Sequence, residues 1–255
     1  MEQHNAMKTL LSPRWLAGHL LALTLIVVFV NLGLWQLNRL RTRRDYNTRI
    51  LAQQNYQPRR YDLLSQDMPP AERTFRQVAQ LGQFDTSEEV LLRSRSHGGE
   101  PGYHLLTPLV FADNRAILVN RGWIPFQYNT PPVAEAAPPA GDVLVAGTLY
   151  PSEVPSEGFG AKDPETGDLD AVFFTNTERL AQQMPYELEP HYLRLTSQRP
   201  IPGDYPVMLA PEKLDNGSHL GYALQWFSFA LIGVVGYGVL MRSVLREAAT
   251  PPAES

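Results

Sequence analysis

The residues best suited to chemistry gather at the edges of two apolar runs. Leaving the first run, the chain reads Asn31, Gly33, Trp35, Gln36, Asn38 and Arg39; entering the second, it reads Asp215, Asn216, Ser218, His219, Tyr222, Gln225 and Trp226. Helical offsets of three and four residues put His219, Tyr222, Trp226, Phe229 and Gly233 on one face. Such a face can dock a flat ring. The same residue types also form interfacial belts, in which Trp and Tyr sit at headgroup depth. A belt accounts well for Trp15, Trp35 and Tyr222, and less well for Gln225, Trp226 and a histidine level with Gln36 and Arg39. Spacing alone leaves both readings open, the belt being the commoner use of such residues.

Other chemistries find no anchor. There is no Gly-rich phosphate loop, no His-Glu-x-x-His helix and no Gly-x-Ser-x-Gly elbow, so the chain reads as a non-enzyme. The absence of cysteine excludes disulfides, thiolate metal sites and cysteine nucleophiles. His97 and His104 lie near Arg93 and Arg95 without patterned carboxylates, which fits solvated or hydrogen-bonded rings better than metal ligands. His19 lies inside the first apolar run, where a polar ring must find a partner. A net charge of −4 gives no basic field, so nucleic acid is not an expected partner.

The elements that must position these residues follow from the hydropathy pattern. The chain has 255 residues and a mean hydropathy of −0.24, too polar for a many-span transporter, so its apolar residues are concentrated locally. Trp15 to Leu37 carries no Asp, Glu, Lys or Arg, and neither does Leu220 to Met241. About 20 such residues cross a hydrocarbon core roughly 30 Å thick, and the first run exceeds a signal peptide's apolar stretch. The expected division is a cytoplasmic tail over 1–14, a transmembrane helix over 15–37, an extracytoplasmic domain over 38–218, a second transmembrane helix over 219–241 and a cytoplasmic tail over 242–255. Arg242 and Arg246 place the C-terminus inside by the positive-inside rule, and two spans then place the intervening domain outside. Arg39, Arg41, Arg43, Arg44 and Arg49 argue the reverse, but long domains translocate largely regardless of charge.

Beyond Arg49 the helical period gives way to short strand-like runs at 75–84, 89–94, 103–111, 116–124, 143–150 and 191–196. ADNR at 112–115 is a hairpin turn in which Asp113 and Asn114 tolerate positive φ. PPVAEAAPPAGD reads as a proline-rich surface loop, and PSEGFGAKDPETGD as a loop too polar and glycine-rich to pack. TNTERLAQQM, capped by Asn176 or Thr177, is the convincing helix of the domain. The expected fold is a membrane protein, with a two-helix transmembrane hairpin carrying a β-rich (α+β) domain, an antiparallel sheet or small barrel. In ILVNRGWIP, alternation places Ile117, Val119, Arg121 and Trp123 on one face, with Gly122 permitting a bulge or close backbone approach.

Four motifs, LGLWQLNRL (32–40), GYHLLTPL (102–109), ILVNRGWIP (117–125) and NGSHLGYALQWFSFA (216–230), occur in an order that resembles the Surfeit locus protein 1 family. These are cytochrome c oxidase assembly factors of bacterial and mitochondrial inner membranes. The resemblance covers nearly all the chain and implies two spans in the bilayer with the domain outside. It implies delivery or retention of haem A for oxidase subunit I, with that subunit and haem A biosynthesis enzymes as partners and His219 as candidate iron ligand. Tyr222, Trp226, Trp35, Gln36 and Arg39 are then candidate haem contacts, Arg39 and Arg41 standing at the level of the propionates. Arg121 is a further candidate for a propionate or a partner's carboxylate, or for local carbonyls. With no transit-peptide-like extension before the first span, a bacterial plasma membrane is the expected location. Two competing functions are a scaffold for oxidase subunits that never touches haem and a membrane-anchored hydrolase or transferase. The latter is disfavoured for want of a nucleophile or metal motif.

Overall fold

The computed structural model describes residues 10–54, 56–111, 114–154, 160–212 and 214–247. The chain forms two compact units: Met1–Thr48 with Leu214–Ser255, and Arg49–Lys213.

The first unit is built on two helices, α1 (Pro13–Gln54) and the last helix of the chain, at His219–Glu247. Among the described residues these are the two helices long and apolar enough to cross a bilayer. The first helix continues past Leu37, the end of the expected span, to Gln54. RTRRDYNTRILAQQ contains no glycine or proline, and its buried positions Asn47 and Ile50 continue one helical stripe with Leu40 just before it. Its end precedes Pro58, which disfavours helix in the residue before it. Within this unit small residues let the two helices approach. A Cβ on Gly33 would lie 2.5 Å from the Phe227 ring, and one on Gly233 would lie 3.4 Å from Ile26. Ala223 and Ala230 are the buried residues of the last helix.

The second unit opens with β1 (Arg59–Arg60), α2 (Tyr61–Asp67) and α3 (Pro70–Arg73). Then come β2 (Gln77–Phe84), β3 (Val90–His97), β4 (Glu100–Val110), β5 (Arg115–Pro125) and β6 (Val143–Pro151). β7 (Ala171–Val172), α4 (Thr177–Ala181) and β8 (Glu187–Arg199) complete it, so the helix at His219–Glu247 is α5. The strand order is β1-β2-β6-β8-β5-β4-β3-β7, with β2 also meeting β4 through Gln83 opposite Val110 and Phe84 opposite Leu109. All six strand-like runs of the sequence are strands. The sheet is mixed rather than antiparallel: β5 and β8 run parallel, as do β1 with β2 and β3 with β7. The long crossover through β6, β7 and α4 returns the chain beside β5 in the same direction, which a hairpin cannot do.

The β4–β5 hairpin is antiparallel, as its sequence demands. Asn114 takes φ 59 and donates its N–H to the Phe111 carbonyl, while Asp113 lies outside the described residues. Alternation along β5 is broken by a bulge: Leu106 faces Asn120 and Leu105 faces Gly122, leaving Arg121 as the extra residue. Ile117 and Val119 therefore pack in one cluster, but Trp123 is shifted to the other face, opposite His104. Gly122, at φ 135, permits both the bulge and a close approach, since a Cβ there would lie 2.2 Å from the Val207 carbonyl oxygen. The proline-rich loop is not a plain surface segment, whereas the described part of the second is exposed as expected, apart from half-buried Asp163. Val133 and Ala136 of the proline-rich one are buried with Leu91, Leu105 and Ile124. Of the second, 155–159 lie outside the described residues, and its remainder is tied down by Asp163, which accepts the N–H groups of Phe173 and Phe174. α4 is capped by the Asn176 side chain accepting from the Arg179 N–H.

Replacing Gly122 by Ala forces a Cβ into a left-handed backbone and against a carbonyl oxygen. A loss of about 3 kcal/mol or more is expected in denaturant unfolding of the detergent-purified chain followed by near-UV circular dichroism, against near neutrality for Gly160→Ala, where the Cβ meets open space.

Candidate functional site

In the helical unit, α1 and α5 bring Gln36 and His219 together: the His219 Nδ1 lies 2.8 Å from the Gln36 Oε1. An amide oxygen accepts, so the proton belongs on Nδ1 and the lone pair on Nε2, the tautomer in which a histidine ligates a metal. The ring is half-buried and lies over Gly217, where a Cβ would come within 3.4 Å of Nε2. Gly217 itself takes φ 63 and donates to the Asp215 carboxylate, so the turn into α5 needs its conformational freedom. Asn47 donates to the Asp215 carbonyl at 2.9 Å, and the Arg43 Nε donates to the same oxygen at 3.2 Å. Nothing in the spacing of the two segments marked Asn47 as a partner, because it lies beyond the apolar run.

The aromatic candidates divide. Trp226 stacks on Phe29 of α1 with ring centroids 5.7 Å apart, and Phe229 lies 5.8 Å from the same ring. That part of the expected ring-docking face is used in helix packing. Tyr222 and Trp35 remain about half exposed, and the Arg39 guanidinium lies over the Trp35 ring at 5.6 Å. Arg41 is exposed. At the other end of the pair, the polar ring of His19 finds two partners, the Tyr237 hydroxyl across the helices and the Leu10 carbonyl at 3.0 Å.

Arg121 belongs to a different setting, the interior of the sheet unit, where it is 1% exposed. It is neither presented at a surface for a propionate nor tied to carbonyls. Its Nη1 meets the Glu89 Oε2 at 3.4 Å, and its guanidinium lies 5.0 Å from the centre of the Phe84 ring. Glu89 also accepts the Thr107 hydroxyl at 2.8 Å and the Val133 N–H at 2.9 Å. Burial pushes the Glu89 carboxyl up, against these hydrogen bonds and the arginine, and draws Arg121 down to about 10. A second buried carboxylate, Glu189, is held by Arg115 at 2.6 Å, the Tyr61 hydroxyl at 2.8 Å and Arg73 at 3.7 Å. Burial first, and then Glu189, raises the Tyr61 hydroxyl well above its usual range.

Among the described residues no group of three or more His, Asp or Glu is placed to hold a metal ion, and His97 and His104 lie against other neighbours. His97 packs on the Trp123 ring at 5.4 Å, and His104 sits 3.2 Å from the Asn120 Nδ2.

Two long apolar helices, a large mostly-sheet unit between them in sequence and a histidine aligned by a glutamine define the class of protein. Residues 23–231 match the SURF1 family, and the chain belongs to that family. An uncharacterised SURF1-like protein of Mycobacterium tuberculosis is 29% identical over 256 residues, covering 96% of this chain and 92% of the relative. SURF1-like proteins of Rickettsia felis and Caenorhabditis elegans are each 25% identical, covering 89% and 87% of this chain and 98% and 73% of the relatives.

Burial, then Arg95 and Arg194, hold the His104 imidazole down to about 3, and burial with Arg73 lowers His191. Both rings are therefore neutral in the fold and take up protons more readily when it unfolds, so they contribute stability above about pH 6.5 that is lost as pH falls towards 3. The thermal midpoint of the purified chain should fall across that window, and more shallowly in His104→Gln.

Proposed function

We propose that this chain is a membrane-anchored, non-enzymatic assembly factor for cytochrome c oxidase, binding haem A through His219 and assisting its insertion into subunit I. Family membership supports the assembly role, and the Gln36–His219 contact carries the haem reading, because it leaves Nε2 as a free lone pair. His219 would hold the haem iron, Tyr222 and Trp35 would offer it half-exposed aromatic surface, and Arg39 and Arg41 would offer cations to its carboxylates. The protein's contribution is binding and orientation, the redox chemistry being the haem's own.

Insertion in a bilayer is supported by the outward apolar surface of both helices. Leu20, Leu21 and Leu23 on α1 and Leu231, Ile232 and Val239 on α5 are each 60% exposed or more, a surface that water does not tolerate at this extent. We place both termini inside and the sheet unit outside, in a bacterial plasma membrane, in contact with oxidase subunit I and the haem A biosynthesis enzymes. A reporter active only on the outer side should work when inserted near Asn129 and fail after Ser255; the reverse pattern would overturn this topology.

A second reading has its own observation. Because Trp226 and Phe229 pack on Phe29, the aromatic face also serves as a plain helix interface, as a scaffold that never touches haem would require. The two separate on His219→Ala in a deletion strain. The haem reading expects an inserted protein with the Soret absorbance of the purified chain lost and oxidase activity and haem content reduced several-fold, whereas His19→Ala keeps the Soret band. Full activity with no Soret band in wild type or variant would establish the scaffold.

A further inference from the structure

β3, β4, β5 and β8 are neighbours in the sheet, and the assembly role makes no use of the polar residues they bring to one rim. Leu92, Leu106, Leu118 and Tyr192 share one buried cluster. The two-residue period of a strand then puts His104, Asn120 and Arg194 on the same face, just beyond that cluster. The register ties them together: His104 stands opposite Leu92, and Asn120 opposite Arg194. β3 breaks its register between Leu92 and Arg95, with Ser94 at φ 58. A non-glycine residue in the left-handed region of a strand is costly, and this irregularity re-aims Arg95 into the rim. The result is a cleft of about 350 Å³ lined by Arg95, His97, His104, Asn120 and Arg194 together with Tyr150, Tyr192 and Glu153.

The hydrogen bonding of this cleft is unbalanced in one direction. Glu153 is committed, accepting the Thr175 N–H at 3.0 Å and the Tyr192 hydroxyl at 3.2 Å, and Glu212 takes the Tyr150 hydroxyl. The cations are not similarly matched. Arg95 reaches the Ser94 carbonyl at 3.3 Å, Arg194 reaches the Ala210 carbonyl at 2.6 Å and the Tyr150 side chain, and neither arginine makes an ion pair among the described residues. The Asn120 amide donating to the His104 Nδ1 sets the ring proton on Nε2, a further donor on a lining residue. The buried Asn120 Oδ1 has no partner among the described residues. Two guanidiniums and an imidazole N–H around one cleft want acidic oxygens, and guanidinium recognises carboxylate and phosphate alike.

We propose that this cleft is a binding site for a small oxyanion, a phosphate- or carboxylate-bearing molecule gripped by Arg95 and Arg194 with His104 as neutral donor. The site is separate in chemistry from the axial histidine and stands whether or not haem binds. Burial first, and then the neighbouring Arg95 and Arg194, keep the His104 imidazole neutral.

The test is a titration of the full chain in detergent, at constant ionic strength, with inorganic phosphate in one arm and citrate in the other. The His104 ring signals, assigned with His104→Gln, are followed by long-range proton–nitrogen correlation. A saturable shift is expected in at least one arm, and which arm responds names the anion. Arg95→Gln should weaken it about tenfold or more. Arg93→Gln is the matched control, since Arg93 lies over the Phe173 ring outside the cleft, and it should leave the titration unchanged. Arg194→Gln supplies the same measurement if Arg95→Gln does not fold. No saturable shift in the wild-type chain, or equal weakening by Arg93→Gln and Arg95→Gln, would mark an adventitious ion only and overturn the site.

Discussion

A carboxylate and a guanidinium cannot stand in an apolar interior unless each satisfies the other, and the sheet unit is organised round that constraint at Glu89 and Arg121. Glu89 is 5% exposed and gathers the Thr107 hydroxyl of β4, the Val133 N–H of the proline-rich loop and the Arg121 guanidinium of β5. Arg121 reaches it because the bulge at 121 removes that residue from the ladder, and the bulge exists because Gly122 accepts φ 135. The Nε and Nη2 of Arg121 find no hydrogen-bond partner among the described residues, and the Phe84 ring beside the guanidinium offsets part of that deficit. One buried pair thus sets the loop that closes Leu91, Leu105 and Ile124, the register of the central hairpin and the face to which Trp123 turns. Such a pair contributes more to specifying one arrangement than to net stability, since its removal as a unit can be neutral while removal of one partner is costly.

The helical unit obeys the same rule. Its polar side chains meet across the two helices: Gln36 with His219, His19 with Tyr237, and Asn47 with the Asp215 carbonyl. Between these contacts the packing is done by small residues and aromatics, with Gly33 under Phe227 and Trp226 on Phe29. Fixing a helix pair by its polar residues also fixes their chemistry. Gln36 determines the tautomer of His219, and that is a prerequisite for any ligand role. The polar contact and the aromatic packing are not rivals; one orients the ring while the other holds the helices that carry it.

The strands, the hairpin, the cap at Asn176 and the two apolar helices were legible in the sequence, because each rests on local rules. A two-residue period, a turn residue that tolerates positive φ, a side chain that satisfies the first N–H groups of a helix and a long uncharged run are all written within a few residues of one another. The alignment of Gln36 with His219 at equivalent depth was legible for the same reason, since each residue's distance from the edge of its own run is a local count.

What the tertiary structure decided lies in pairings between distant residues. The parallel partnership of β5 and β8, the burial of Val133 and Ala136 in a segment that reads as exposed loop, and the continuation of α1 to Gln54 all depend on partners that no local pattern names. Arg121 shows this most clearly: alternation places it on the face of Ile117 and Val119, but only the bulge and the distant Glu89 determine that it is enclosed with an acid rather than offered to a ligand. The meeting of Arg95, His104, Asn120 and Arg194 belongs to the same class, because it needs four strands in one order and a break in one of them. Sequence determines which groups must be satisfied, through their charge and hydrogen-bonding capacity; tertiary structure decides by whom, because desolvation makes every buried polar group depend on whichever partner the fold delivers.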